Sequence, residues 1–366
     1  MNFIKQNMPG IIVSLLVAVP AWYLGSMFPI AGGPVIAIIA GMIIALFWKD
    51  KGICAGGIKF TSKKILQWAV ILLGFGLNLN VILETGKQSL PIIVCTISTS
   101  LILAFIMYKV MKIPSKISTL IGVGSSICGG SAIAATAPVI DADDEEVAQA
   151  ISVIFFFNVL AALLFPALGK LMGFCTTDGT AFGIFAGTAV NDTSSVTAAA
   201  STWDSMFNLG SATLDKAVTV KLTRTLAIIP ITLCLALYRT HQEKKGSLAA
   251  EGTGLETESE TNSPAKVNLA KIFPWFILYF IAASVITTLC FHFIKDETIL
   301  NTVKTIFHYL KNTSKFFIIM AMGAIGLNTD IVKLVKTGGK PLVLGAVCWI
   351  GITAVSLVMQ KAMGLF

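Results

Sequence analysis

Two cations three residues apart, Lys221 and Arg224, stand in the run AVTVKLTRTLAIIPITL, which is apolar enough to enter a lipid bilayer. Their spacing puts both on one helical face. A charge inside a membrane is costly and normally faces a cavity or a partner. The chemistry open to this pair is anion binding, because Arg in particular grips planar or tetrahedral oxyanions through a rigid fork of N–H donors. An internal ion pair with Asp192 or Asp215 is the alternative. Two other apolar runs carry polar interruptions. GSSICGGSAIAATA at 124–137 holds Ser125, Ser126, Gly129, Gly130 and Ser131, and GTAVNDTSSVTAAA at 187–200 holds Asn191, Asp192, Thr193 and Ser194. The second string aligns with the first without gaps, 63 residues later.

A buried backbone or hydroxyl group without a partner costs several kcal/mol by rough transfer estimates, so these interruptions need something to satisfy them. Gly122, Gly124, Gly129 and Gly130 let the chain leave helical geometry. Ser131 can cap a new half-helix, and Asn191, Asp192 or Thr193 can do so in the echo. A half-helix that starts there offers free N–H groups and a positive dipole end to an anion, while free carbonyls at the other side attract cations. The expected substrate-binding set is Ser125, Ser126, Gly129, Gly130, Ser131, Asn191, Asp192, Thr193, Ser194, Lys221 and Arg224. Tight helix packing through small residues is the competing use of the glycines. Asp192 is the acid placed at an interruption, and it would repel an anion unless protonated. A coupling proton on Asp192, or a sodium ion held by Asp192, Asn78 and Asn328, is therefore expected to accompany the substrate. No clustered catalytic acids, bases or HExxH-like set occurs, which argues against an enzyme. The seven cysteines show no ligand spacing and only three histidines exist, so neither a metal nor a cofactor is expected.

The elements that must position these residues are membrane helices. Of 366 residues, 55% are hydrophobic and 13% charged, against about 25% charged in an average soluble domain. The sequence predicts an all-α polytopic membrane protein with about 11 spans of roughly 20 residues each. They run from 9–28, 30–48, 65–84, 90–108, 117–138, 147–169, 181–201, 215–238, 272–294, 313–330 and 341–362. The whole chain, 1–366, reads as one transmembrane domain. Residues 239–270 read as a cytoplasmic loop, disordered in part because 246–265 is rich in Gly, Ser, Thr and Glu. Residues 295–312 alternate charged and apolar positions and predict a surface helix. The formal charge of +8 belongs to topology rather than to nucleic acid. Lysines gather at 49–64, 109–116 and 333–340, which puts the N-terminus in the cytoplasm. The acidic run 141–146 then falls outside.

Internal repeats bear on function. GLNLN at 76–80 returns as GLNTD at 326–330, and Pro91 as Pro341, both 250 residues apart. Paired Gly-interrupted segments point to a transporter's binding site. By the span count the GLN helices cross in opposite directions, but the two interrupted segments cross in the same one. Either those are parallel repeats, or one or both are re-entrant hairpins.

Taken together, GSSICGGSAIAA, the acidic DADDEE step, GTAVNDTSSV and VKLTRT resemble the sulfate exporter family of YeiH-type membrane proteins. The resemblance covers essentially the whole chain. It implies kinship with bile-acid symporters and cation/proton antiporters, in which a mobile domain with crossed, broken helices moves against a scaffold, in elevator fashion, and which often dimerise through that scaffold. The implied function is secondary active export of a small sulfur oxyanion such as sulfate or sulfite. Some relatives carry His where this chain has Asn191. A sodium/proton antiporter, a sodium-coupled sulfonate or carboxylate transporter, and a passive anion channel are the alternatives. The partners expected are the small anion, a proton or sodium ion, membrane lipid and a second copy of the chain, with no nucleic acid.

Overall fold

The computed structural model describes residues 2–28, 32–228, 230–232, 234–235, 275–294, 296–329 and 339–366. The expected loop 239–270 lies outside the described residues. Every described element is a helix, the form in which backbone polar groups are satisfied within one segment when water is absent. Five helices are long and apolar enough to cross a membrane: α1 (Asn2–Met27, apolar from Gln6), α5 (Leu79–Met111), α8 (Asp144–Leu171), α12 (Phe276–Phe293) and α14 (Lys340–Ala362). Shorter or less apolar elements complete the bundle. These are α2 (Gly33–Phe47), α3 (Ala55–Phe60) continued through a π-helical turn into α4 (Leu66–Leu73), α11 (Ala212–Thr225) and α13 (Glu297–Asn328). Residues 297–312 are helical, as expected, and continue without a break into the rest of α13, which ends at Asn328 within the expected span 313–330.

Two of the eleven apolar runs turn back instead of crossing. In the first, α6 (Ser115–Ser126) and α7 (Gly130–Thr136) lie side by side. Lys116 at the start donates 2.6 Å to the Asp141 carbonyl at the end and sits 4.0 Å from Glu146. In the second, α9 (Thr180–Ala189) folds against α10 (Thr193–Phe207), with Phe182 near its start stacked on Trp203 near its end, ring centroids 4.1 Å apart. The mouth of that hairpin is closed by the next turn. Gly179 packs on Thr213, and the Thr213 and Leu214 N–H groups each donate 2.9 Å to the Asp204 carboxylate. Between the hairpins, α8 begins beside the first mouth and ends beside the second, where Gly169 packs on Phe182 and Trp203. The hairpins therefore enter from opposite ends of the bundle.

Three expectations change as a result. The runs 117–138 and 181–201 are not spans, so the count of eleven crossings falls. The acidic run 141–146 is at the same end as Lys116, not the opposite one. Its role is local: Asp143 accepts from the Glu146 N–H at 2.8 Å while Glu146 accepts from the Asp143 N–H, a reciprocal cap that starts α8. Finally, the two interrupted segments run in opposite directions, which removes the conflict between them and the GLN helices.

The helices sort into two sets. α1–α4, α12 and α13 pack mainly on one another, and α5–α11 with α14 form the second set around the hairpins. Close approach holds the first set: a methyl on Gly41 or Gly326 would run into the backbone of the facing helix, α13 or α2. α4 and α13 are antiparallel, since Phe75 meets Phe307 and Ser314 donates 2.6 Å to the Ala69 carbonyl. α10 is the main contact between the sets. At the second hairpin's mouth Lys311 pairs with Asp215 at 2.6 Å, and Lys315 donates 2.9 Å to the Gly210 carbonyl.

Hairpin geometry and eleven crossings make opposite predictions about sidedness. Cys175 follows α8 in an exposed turn, where hydrogen bonds from Thr177 hold its thiol below the ordinary range and favour labelling. With the other cysteines replaced, an impermeant maleimide should reach Cys175 from one side of the membrane and Ser115→Cys and Asp141→Cys together from the other. Eleven crossings would instead separate Asp141→Cys from Ser115→Cys.

Candidate functional site

The break in each hairpin follows the sequence echo residue for residue. α6 ends at Ser126 and α9 at Ala189, while α7 starts at Gly130 and α10 at Thr193, each pair 63 apart. The first break depends on Gly129, whose φ of 70° and ψ of −124° suit glycine and little else. In the second, Asp192 has extended backbone and caps α10, its carboxylate accepting from the Ser194 N–H at 3.0 Å and from the Ser194 hydroxyl. The tips meet: a Cβ on Gly129 would lie 3.6 Å from Cβ of Asp192.

Lys221 and Arg224 reach these tips from α11, and both are fully buried. Lys221 Nζ donates to the carbonyls of Ile127 (2.5 Å) and Val190 (3.1 Å), the residues after the last turns of α6 and α9. The Arg224 guanidinium forks across the same two ends, Nε to Ser126 O (2.7 Å), Nη2 to Ser125 O (2.8 Å) and Nη1 to Thr188 O. Two cations thus cap two negative helix ends. Lys221 and Arg224, expected to bind an anion, here direct five of their eight N–H groups at backbone carbonyls of the tips. Neither makes the alternative ion pair: Asp215 pairs with Lys311 and Asp192 caps α10.

The structure brings together the tip residues and the two cations. The Ser126 hydroxyl is turned into its own helix, on Val123 O, while that of Ser125 is buried without a partner. Ser131 is exposed, and Gly130, Asp192 and Thr193 are partly so, giving the tip its accessible edge. A Cβ on Gly130 would meet no atom within 4 Å. Asn191 is buried with both amide atoms unpartnered. Asn78 and Asn328 do not join Asp192. Asn78 caps the start of α5, and Asn328 ends α13, at the opposite end of the antiparallel α4–α13 pair. The sodium site expected from those three residues is not assembled.

Sequence reasoning missed Asn158 on α8. It is 3% exposed, its amide nitrogen lies 3.4 Å from where a Gly129 Cβ would stand, and its Oδ1 has no partner. The signal was present, for Asn158 precedes Lys221 by 63 residues, the offset of the tips themselves.

A family model described as conserved hypothetical protein 698 matches residues 9–345. A UPF0324 membrane protein of Fusobacterium nucleatum is 57% identical, over 99% of this chain and 100% of its own. UPF0324 membrane proteins of Streptococcus mutans and Streptococcus agalactiae are 56% and 53% identical, covering 99% and 98% of this chain and 98% of their own lengths. No solved structure matches. The chain is thus a multi-pass membrane protein.

Substitutions at the tips should separate structure from access. Arg224→Gln strands buried carbonyls, each costing about 1–3 kcal/mol, and should lower the melting temperature of the purified protein well below that of wild type. Gly129→Ala should cost about 1–3 kcal/mol through backbone strain. Gly130→Ala, facing open space, should melt close to wild type.

Proposed function

The chain belongs to the conserved hypothetical protein 698 family, and on that premise we propose that it is a secondary active transporter of a small oxyanion, sulfate or sulfite among the candidates. The observation that carries this reading is the pair of hairpins that enter from opposite ends and meet tip to tip, a geometry in which one site can be offered to either side in turn. Electrostatics support an anion. With each half-helix end counted as about half a charge, the four ends cancel, and Lys221, Arg224 and Asp192 leave a net charge of about +1. Sodium/proton antiport fits less well, because the tip carbonyls that would coordinate a cation are already taken by Lys221 and Arg224. In this reading the Lys-rich end, with Lys49, Lys59 and Lys116, faces the cytoplasm of a bacterial cell, the N-terminus lies with it, and Cys175 lies outside. The chain acts as a carrier, not an enzyme.

Proteoliposomes carry the test. Labelled sulfite or sulfate should show saturable counterflow, which a passive channel cannot produce; uptake that never saturates would reject the carrier. Asp192→Asn keeps a good helix cap but removes the negative charge. It should tighten sulfate binding by about tenfold, since a unit charge several ångströms away is worth more than about 1.4 kcal/mol at an effective dielectric near 20. Unchanged sulfate affinity would place the anion away from the tips.

A further inference from the structure

Buried polar side-chain atoms without partners gather at the crossing: Ser125 Oγ, Asn158 Oδ1, and both Oδ1 and Nδ2 of Asn191. Asn158 and Asn191 are 3% and 1% exposed. An amide with neither end satisfied needs a ligand that both donates and accepts, whichever way round it sits. A fully deprotonated oxyanion only accepts. It would leave the acceptor oxygens of Asn158 and Asn191 orphaned beside it, at a cost. The Asp192 carboxylate adds an acceptor at the tips, where it receives the Ser194 N–H and hydroxyl as the cap of α10.

Resting on the anion reading above, we propose that the tips bind a singly charged oxyanion that carries its own hydroxyl proton, and that Asn158 is the residue that reads it. The net charge of about +1 at the tips matches a single negative charge. Asn158 supplies the acceptor for the ligand's O–H, while Asn191 and the N–H groups at the start of α10 donate to its bare oxygens. α8 faces the tips with Asn158 where α11 faces them with Lys221, so the two repeats divide the work. One fixes the helix ends with charge, and the other selects the ligand with a neutral amide. A sodium ion is the rival occupant of such oxygens. Two buried cations at the same tips stand against it.

Full-length purified protein can be titrated with dihydrogenphosphate, hydrogensulfite, methanesulfonate and sulfate, and separately with sodium gluconate. The first two are monoanions with an O–H, methanesulfonate is a monoanion without one, and sulfate is a dianion without one. The two O–H-bearing ions should bind at least about tenfold more tightly than methanesulfonate, because a site built around a ligand hydroxyl rejects the analogue that lacks it. Asn158→Leu should erase that preference while leaving the ligand-free melting temperature unchanged or higher, as expected when an unsatisfied buried amide becomes apolar. Equal binding of methanesulfonate or sulfate overturns the proposal. So does stabilisation by sodium gluconate alone, and so does a fall in the ligand-free melting temperature of Asn158→Leu, which would make the amide structural. If none of the four anions binds, the anion reading itself fails along with it.

Discussion

Five backbone carbonyls, from Ser125, Ser126, Ile127, Thr188 and Val190, converge on two side chains of one helix. Without Lys221 and Arg224 the negative ends of α6 and α9 would face each other inside an apolar bundle, unsatisfied and mutually repulsive. With them, the hairpins can stop at mid-depth and leave their second halves starting in the same place. The positive ends of α7 and α10, the glycine break and the Asp192 cap all follow from that junction. The cations are structural first and electrostatic second, since they hold the tips in register and also set the sign of the field there.

The two hairpin units are alike in backbone and unlike in chemistry. Gly129 in the first corresponds to Asp192 in the second, Cys128 to Asn191, Ala161 to Arg224 and Asn158 to Lys221. A perfectly symmetric pair would place four cations around the same carbonyls and repel itself. Divergence lets one unit carry the charge and the other keep a neutral face toward the accessible edge at Gly130 and Ser131.

Composition made the membrane class legible, and the gapless echo brought both breaks within a few residues, although the first new half-helix is capped at Gly129 and not at Ser131. Ser125 through Ser131 and Asn191 through Ser194 were readable because glycine and short polar residues have few reasons to sit in apolar runs. What Lys221 and Arg224 bind was not readable, because backbone carbonyls are present at every position and leave no mark in the sequence. Nor could apolar length distinguish a crossing from a hairpin of about 25 residues, since both need a similar run of apolar side chains. The clue lay in Lys116 and Asp141, whose pairing is visible only once the chain turns back. Asn78 and Asn328 misled because likeness between GLNLN and GLNTD carries no information about a shared site: Asn78 caps the start of α5, whereas Asn328 ends α13.

The ties at the mouth of the second hairpin are one-sided. Lys311 to Asp215 and Lys315 to Gly210 O join that mouth to α13, in the other helix set, whereas Lys116 at the first mouth bonds within its own hairpin unit. Any displacement of the hairpin set against α13 must either break both ties or turn about them. The molecule is in this respect moored by the stern: were the hairpin set to swing as one body about these ties, the first hairpin would have the longer arc.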